Sequence, residues 1–292
     1  MDYSTEARPK HFRLASGRQI GWLEFGPEDG YPAVYSHGTP GSALEAEVFA
    51  SAAWRQGVRV IAVDRPGIGD SDPDGGDTIA KRSEDAAQLL DHLGCSQYAV
   101  FGWSGGAPYA LLTALARPDR ARAVGLLAPQ SDRHLLAARI ERRLARPYQS
   151  IINAIARVPR LGVPLLEAAV KTADPRPRSE RPSGRRIFGE SLKRSQWQGS
   201  GGTLDDTKAI FERWGMSVAE IATRLEALTV PPPITIWQGA HDQSIGLSNT
   251  RALARQLPNT TLWIDQPASH LQILLDHPDE VLRTLRRSRY VP

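Results

Sequence analysis

The segment Gly102-Trp103-Ser104-Gly105-Gly106 constrains the fold of this chain more than any other. Its spacing, G-x-S-x-G, is typical of a sharp turn from a β-strand into an α-helix that exposes a serine. Such a turn forces Ser104 toward a positive φ, which is strained for a residue that carries a Cβ. Glycines on both sides of the serine allow the strand and the helix to approach closely. The segment therefore predicts a strand, a strained serine and a helix in direct succession.

The residues on either side of this turn have the expected character. Residues 97–101 are apolar and partly β-branched or aromatic, which is typical of a buried strand. Residues 107–116 have the pattern of a buried helix, and Pro108 falls in the first turn, where proline is tolerated. The N-terminus of this helix would direct free N–H groups toward Ser104, where an oxyanion can be stabilised. Ser104 is therefore the candidate nucleophile.

Short apolar segments alternate with helical patterns along most of the chain. A hairpin is predicted over residues 11–25, and further strands are predicted at 32–36, 58–63, 97–101, 121–127, 234–238 and 260–264. Helices are predicted between them at 43–54, 79–93, 107–116 and 248–256, and after the last strand at 278–287. This alternation predicts an α/β fold with a mostly parallel eight-stranded sheet flanked by helices.

The alternation stops between residues 131 and 215, where several helical stretches are predicted instead. We therefore divide the chain into a core domain, residues 1–130 and 216–292, and a helical, arginine-rich cap, residues 131–215, inserted after the sixth strand. The cap would lie over the carboxyl ends of the strands, where open α/β sheets bind ligands. Within it, residues 174–186 are too rich in proline for regular structure, and residues 199–202 have the composition of a flexible joint.

Two short patterns predict helix starts near the end of the cap. Thr203 with Asp206, and Ser217 with Glu220, have the spacing of a capping box. In that motif the first side chain and the acidic one satisfy free N–H groups of a helix N-terminus. Each pair therefore predicts the beginning of a helix.

The positive charge of the chain is concentrated in the cap. The whole chain has a formal net charge of +4, whereas residues 131–200 carry 13 Arg and 2 Lys against 6 acidic residues. No zinc-finger spacing, RNP-like aromatic pattern or basic helix-turn-helix accompanies them, so a nucleic-acid partner is not expected. One interpretation is that the arginines favour an anionic substrate through charge-assisted pairs, and the alternative is a solvated cap surface.

The cysteine content and the N-terminus bear on the compartment. A single cysteine, Cys95, excludes an internal disulfide and is expected to be a small packed residue. The first residues lack the apolar region of a signal peptide, and no run approaches the roughly 18 apolar residues of a membrane helix. We therefore expect a cytoplasmic protein that does not associate with membranes and is a monomer or a homodimer.

A serine hydroxyl needs a base to take its proton and a third group to hold that base. Among the seven histidines, His270, in a predicted loop beyond the last strand, has the position expected of the base. Asp242 follows the preceding strand, and the 28 residues that separate it from His270 fit one helix plus one strand. Asp132, just past the strand that follows the Ser104 turn, is a rival acid.

An oxyanion formed at Ser104 would need two backbone N–H donors. One is expected from Gly105, the residue after the nucleophile. The other should come from the turn-rich loop at residues 37–42, and Thr39 is the best candidate there. His37 begins this loop, and its ring is expected to brace it.

Five motifs together resemble the successive motifs of the capped α/β-hydrolase superfamily. They are HGTPG at 37–41, DRPGIGDS at 64–71, GWSGG at 102–106, GAHD at 239–242 and SH at 269–270. The branch that the chain resembles contains esterases, lactonases, proline-iminopeptidase-like enzymes and C–C bond hydrolases.

The resemblance implies the α/β-hydrolase fold, a reaction without cofactor or metal, and a position for Trp103 in the wall of the acyl pocket. Epoxide hydrolases and haloalkane dehalogenases of the superfamily have aspartate where this chain has Ser104, which argues against both activities. Prolyl aminopeptidases need acidic groups to hold a free amine, and the basic cap argues against that activity.

The sequence thus predicts a serine hydrolase that cleaves a carboxylic ester or lactone of a small molecule, in preference to an amide or a C–C bond. Arg65 and Trp214 are further candidates for substrate contact, although Trp197 and Trp214 could equally pack the interior of the cap. Two alternatives remain open. One is a ligand receptor or signalling protein with slow or no turnover, and the other is an acyl or peroxy-acid transferase.

Overall fold

The computed structural model describes residues 8–131 and 182–287, and within them a single eight-stranded sheet forms the centre of the molecule. The strand order is β1-β2-β4-β3-β5-β6-β7-β8. Strand β2 runs antiparallel to both of its neighbours, β1 and β4. From β4 to the end of this order at β8, all neighbouring strands are parallel. The strands are β1 (Lys10–Arg13), β2 (Gln19–Phe25), β3 (Tyr31–Ser36), β4 (Val58–Val63), β5 (Tyr98–Trp103), β6 (Ala121–Leu127), β7 (Ile234–Gly239) and β8 (Thr260–Asp265). The predicted eight-stranded, mostly parallel sheet is confirmed.

Helices cover both faces of the sheet. A 3₁₀ helix (Ala43–Phe49) leads directly into α1, where the sequence predicted one continuous helix. The α-helices of the described residues are α1 (Ala50–Gln56), α2 (Ile79–His92), α3 (Ala107–Ala116), α4 (Pro182–Arg194), α5 (Gly201–Glu212), α6 (Val218–Glu226), α7 (Leu247–Gln256), α8 (His270–Asp276) and α9 (Pro278–Arg287). None of these helices is long and apolar enough to cross a lipid bilayer.

The core has one apolar layer on each face of the sheet, because successive strand residues point to opposite sides. In β5, Val100 packs with the layer beneath α2 and α3, whereas Ala99 and Phe101 pack with the layer beneath α1 and α9. Buried strands of this kind are apolar on both faces, which is why they appear in the sequence as continuous apolar runs.

Of the predicted cap, residues 131–215, the described part from residue 182 onward contains α4 and α5. Helix α4 begins at Pro182, inside the stretch 174–186 that was predicted to lack regular structure; residues 174–181 lie outside the described residues. A proline is tolerated in the first turn of a helix, because its missing N–H would have no intrahelical partner there. The predicted joint at 199–202 is also wrong in part, because Gly201 and Gly202 belong to α5.

The two predicted capping boxes have different outcomes. Ser217 and Glu220 form one at the start of α6, with the Ser217 N–H donating to Glu220 Oε2 at 2.8 Å. Thr203 and Asp206 do not, because α5 already begins at Gly201 and both residues lie inside it. The Asp206 side chain instead forms hydrogen bonds with Thr39, Arg65 and Tyr109.

Candidate active site

The turn after β5 has the geometry that its glycines predict. Ser104 follows β5 directly and has a φ of 52°. A Cβ on Gly102 would overlap the carbonyl oxygen of Gly106, and a Cβ on Gly106 would overlap that of Ser36. Only glycine allows this close approach of strand, turn and helix. Ser104 is therefore held in a strained conformation at the N-terminal end of α3.

His270 and Asp242 meet at the same edge of the sheet. Nδ1 of His270 lies 2.7 Å from Oδ2 of Asp242. The other carboxylate oxygen of Asp242 accepts hydrogen bonds of 2.8 Å from the backbone N–H groups of Ser244 and Ile245. Burial alone would raise the pKa of Asp242, but the charge and hydrogen bond of His270, together with these two N–H groups, hold the pKa below its ordinary value. Asp242 is thus an ionised carboxylate that fixes one ring nitrogen of His270.

Trp103 connects His270 to the turn that carries Ser104. Its indole Nε1 donates to the carbonyl oxygen of His270 at 3.2 Å, and the two ring centroids are 4.9 Å apart. The Trp103 ring also contacts Phe188 of α4, with the two rings nearly perpendicular and their centroids 5.8 Å apart. Trp103 therefore packs against both His270 and Phe188, directly before the candidate nucleophile in the chain.

The sequence predicted that His270 lies in a loop. In the structure, His270 is instead the first residue of α8. The signal that was missed is the spacing of Ser269 and Gln272 before an apolar run. The Ser269 N–H donates to Oε1 of Gln272 at 2.6 Å, as in a capping box. The helix gives His270 a defined backbone, which a loop would not.

The two candidate oxyanion donors are neighbours. A Cβ built on Gly105 would lie 2.8 Å from Oγ1 of Thr39, so the loop after β3 closes against the turn after β5. The structure thus brings together the two residues whose backbone N–H groups the sequence predicts as oxyanion donors. A serine, a histidine and a carboxylate that orients the histidine are the groups that nucleophilic attack on a carbonyl group requires.

His37 braces the loop after β3, as predicted. It is fully buried, and its Nδ1 lies 2.8 Å from the carbonyl oxygen of Gly38. Burial and the nearby charge of Arg65 hold the pKa of His37 well below its ordinary value, so the ring is neutral. A neutral, buried histidine next to a backbone carbonyl is a structural element of the loop.

Glu45 also shapes this loop and was not anticipated. Its Oε1 accepts hydrogen bonds from the Gly38 N–H, at 2.9 Å, and from the Tyr35 hydroxyl. Burial raises the pKa of Glu45 to about 7, although hydrogen bonds from Tyr35 and Gly38 and the charge of Arg65 oppose the rise. Nothing in the sequence distinguishes Glu45 from a surface residue of an amphipathic helix.

Arg65 has a different role from the predicted one. Its guanidinium donates to the carbonyl oxygens of His37 and Gly38, to Oγ1 of Thr39 at 2.6 Å, and to Asp206 at 2.8 Å. The residue is 4% exposed, and its charge is already balanced by the Asp206 carboxylate. Arg65 therefore holds the loop after β3 and is not free to bind an anionic substrate.

The predicted substrate contact of Trp214 is also corrected. Trp214 is 6% exposed, packs in the apolar layer with Ile79 and Ile210, and donates through Nε1 to the Ile210 carbonyl at 2.6 Å. Trp197, by contrast, is 64% exposed and lies against the guanidinium of Arg194. Of the two alternatives, Trp214 packs the interior.

The described arginine side chains of the cap are paired with carboxylates. Arg186 bonds Glu47, Arg194 bonds Asp64 and Asp70, and Arg213 bonds Asp205. The rival acid Asp132 lies outside the described residues. The basic composition of this part of the cap therefore serves contacts with the core domain and within the cap.

Comparison with known proteins places this arrangement in a family. A family model described as alpha/beta hydrolase fold matches residues 32–277. Among curated proteins, the acetyltransferase component of the acetoin cleaving system of Pseudomonas putida is 37% identical over 114 residues, which is 38% of this chain and 30% of that protein. A non-heme chloroperoxidase of Streptomyces lividans is 37% identical over 108 residues, 36% of this chain and 39% of that protein. The chain thus spans about a third of the length of these curated relatives.

Solved structures match over nearly the whole chain. The esterase RhEst1 from Rhodococcus sp. ECU1013 superposes with a TM-score of 0.73 at 21% identity, covering 99% of this chain and 100% of that one. The enol-lactonase from Burkholderia xenovorans LB400 has a TM-score of 0.72 at 17% identity, covering 97% and 100%. Identities this low show a shared fold only. With the family model covering most of its length, the chain belongs to the α/β-hydrolase family.

Proposed function

We propose that this hydrolase cleaves a carboxylic ester or lactone through an acyl-enzyme, with Ser104 as nucleophile, His270 as base and Asp242 as the acid that orients the base. The observation that carries the proposal is the 2.7 Å contact between Asp242 and His270, next to a serine held at a φ of 52°. Because Asp242 occupies Nδ1, the other ring nitrogen of His270 is left to accept the serine proton.

The proposed reaction has two half-steps. Ser104 Oγ attacks the carbonyl carbon while His270 takes its proton, and the N–H groups of Thr39 and Gly105 stabilise the resulting oxyanion. Collapse of the tetrahedral intermediate breaks the ester C–O bond, and the proton on His270 passes to the leaving alcohol. Water then attacks the acyl-enzyme with His270 as base, and this step releases the acid and restores Ser104. No step requires a cofactor or a metal.

Names of structural neighbours support the choice of ester or lactone, since they include an esterase and an enol-lactonase. The described cap arginines are paired, so we propose that a negative charge on the substrate is not required. An anionic substrate would make kcat/KM fall more steeply with salt for a carboxylate-bearing ester than for a neutral ester of equal size. The single, buried Cys95 fits our proposal of a cytoplasmic protein.

The test combines turnover with active-site labelling. Release of p-nitrophenol from esters of short and medium acyl chains is measured for the wild type, Ser104→Ala and His270→Asn, with fluorophosphonate labelling read by intact mass. His277→Asn is a matched control, because His277 forms a similar 2.7 Å pair with Asp265 at the end of the edge strand β8. We expect turnover and a single label in the wild type and the control, and neither in Ser104→Ala. A labelled Ser104→Ala protein would contradict the proposal.

The remaining alternatives differ from hydrolysis in the outcome of the same assay. A receptor-like protein would be labelled without turning over the esters. An acyl or peroxy-acid transferase would release an ester or a peroxy acid when alcohol or hydrogen peroxide is added. The relative named as a non-heme chloroperoxidase makes peroxide the first acceptor to test.

A further inference from the structure

Helix α5 of the cap places a stripe of three residues against the loops of the proposed site. Gly202, Asp206 and Ile210 are spaced four residues apart, so they share one face of the helix. A Cβ on Gly202 would overlap the carbonyl oxygen of Gly67, in the loop after β4. A Cβ on Gly105, in the turn after β5, would lie 2.8 Å from Cδ1 of Ile210. One face of α5 therefore packs on two of the loops that surround the site.

Asp206 contacts the third loop, and it does so through a hydrogen bond to the side chain of Thr39. Thr39 Oγ1 donates to Asp206 Oδ2 at 2.7 Å and accepts from Arg65 at 2.6 Å. Arg65 in turn donates to Asp206 at 2.8 Å. On the opposite side, Asp206 Oδ1 accepts from the Tyr109 hydroxyl at 2.9 Å. The hydroxyl of Thr39 is thus held between one cation and one carboxylate.

This network lies away from solvent. The Asp206 side chain is fully buried, and that of Arg65 is 4% exposed. Charge-assisted hydrogen bonds in such surroundings are short and directional. They fix the hydroxyl of Thr39, and with it the backbone of the loop after β3.

The geometry points to Asp206 as a positioning residue for the oxyanion hole: it holds Thr39 so that the Thr39 backbone N–H faces the reacting carbonyl oxygen. This inference rests on the proposed function. In it, the cap contributes to transition-state stabilisation as well as to the walls of the site, since α5 contacts both Thr39 and Gly105. The effect of Asp206 is exerted through Thr39, and Asp206 itself does not touch the substrate.

The neighbouring residue provides a matched control. Asp205 lies on the same helix and pairs with Arg82 and Arg213, and neither arginine is a hydrogen-bond partner of Thr39. Asp205 is linked to Asp206 through Arg82 and the Tyr109 hydroxyl, which bonds Asp206 Oδ1 and not the Oδ2 that accepts from Thr39. Asp205→Asn therefore weakens the attachment of α5 while Thr39, Arg65 and Asp206 all keep their side chains. We expect Asp206→Asn to lower kcat about 10- to 100-fold with KM changed less than about twofold. Asp205→Asn is expected to keep kcat within about twofold of the wild type, even if its Tm falls.

A second pair of variants tests the same contact from the other side. Thr39→Val keeps the backbone N–H but removes the hydroxyl, whereas Thr39→Ser keeps both. We expect Thr39→Val to lower kcat as Asp206→Asn does. Thr39→Ser, which keeps the hydroxyl, should have a kcat close to that of the wild type. The double variant Asp206→Asn/Thr39→Val should lose little more than either single variant, because both remove one interaction. Binding of a trifluoromethyl ketone, which forms a tetrahedral adduct with a serine, should weaken in parallel with kcat/KM.

The outcomes separate this inference from the proposed function. If Asp206→Asn matches Asp205→Asn in kcat, or if Thr39→Val matches Thr39→Ser, Asp206 has no positioning role. The Thr39 pair decides the matter if Asp206→Asn does not fold. A wild-type protein that shows neither turnover nor labelling at Ser104 overturns the proposed function, and this inference with it.

Discussion

Asp242 Oδ2 and His270 Nδ1 are 2.7 Å apart, although 28 residues separate them in the chain. Asp242 follows β7 and His270 begins α8 shortly after β8, and these parallel strands are neighbours. The carboxyl ends of parallel neighbours meet at the same edge of the sheet, which brings the two side chains together.

We expect Asp242→Asn to lower kcat by about 10⁴, because an amide neither holds the required tautomer of His270 nor stabilises its charged form. The measurement is p-nitrophenyl ester turnover. Asp265→Asn alters the similar pair with His277 and should leave kcat within about twofold of the wild type. Asp132→Asn should likewise leave kcat within about twofold of the wild type. Loss of turnover in Asp132→Asn with retention in Asp242→Asn would assign the acid to Asp132.

Glu45 should make stability depend on pH. Burial raises the folded-state pKa of Glu45 from 4.5 to about 7, so the folded state binds this proton more tightly than the unfolded state. The resulting stabilisation is complete below about pH 4.5 and is lost as the pH rises to about 7. Relative to Glu45→Gln, the wild type should lose about 3 kcal/mol of unfolding free energy over that range. Urea unfolding at pH 4.5 and pH 7.5 measures the difference.

The control for Glu45 is Glu47→Gln, on the same 3₁₀ helix but partly exposed next to Arg186. It should keep the pH dependence of the wild type. Equal slopes for the wild type and Glu45→Gln would mean that Glu45 ionises normally in the folded protein.

Gly106→Ala should be strongly destabilising. Its Cβ would overlap the carbonyl oxygen of Ser36, and that backbone atom belongs to a central strand that cannot move away. Overpacking of this kind costs about 1–3 kcal/mol or more. Gly201→Ala is the matched control, since its Cβ would meet no atom within 4 Å and it lies in the first turn of α5. Chemical denaturation should show Gly201→Ala to be neutral or slightly stabilising; similar losses in both variants would argue against close packing at the turn.

Arg194→Met should destabilise the protein because it leaves Asp64 buried without its ion-pair partner. Arg194 bonds Asp64 at 2.8 Å, and both side chains are almost fully buried. Breaking a buried pair in this way costs about 3–5 kcal/mol. Arg186→Met, on the same helix, breaks the exposed pair with Glu47 and should cost less than about 1 kcal/mol. Equal changes in the free energy of unfolding would show that Arg194 does not anchor α4.

The elements that local patterns control could be predicted from the sequence. The strands appear as apolar runs because both of their faces are buried. The G-x-S-x-G spacing predicts the positive φ of Ser104 because its glycines are typical of a turn in which strand and helix approach closely. Ser104, Asp242 and His270 come after β5, β7 and β8, respectively, so parallel pairing of these strands places all three at the carboxyl edge of the sheet. In each case, the deciding interaction is between residues that are close in sequence or related by a regular strand order.

Only the tertiary structure decided the roles of the charged and aromatic side chains around the site. In the sequence Arg65 resembles an anion ligand, but in the structure its charge is neutralised by Asp206, which is 141 residues away. The spacing of Thr203 and Asp206 resembles a helix cap, but both residues lie inside α5 and the Asp206 carboxylate bonds Arg65. Trp214 is a residue type that often lines ligand pockets, but in the structure it packs in the apolar core. A charge or an indole acts on whatever the fold places within a few ångströms of it. That neighbour is chosen by the packing of distant segments, which no local pattern in the sequence records.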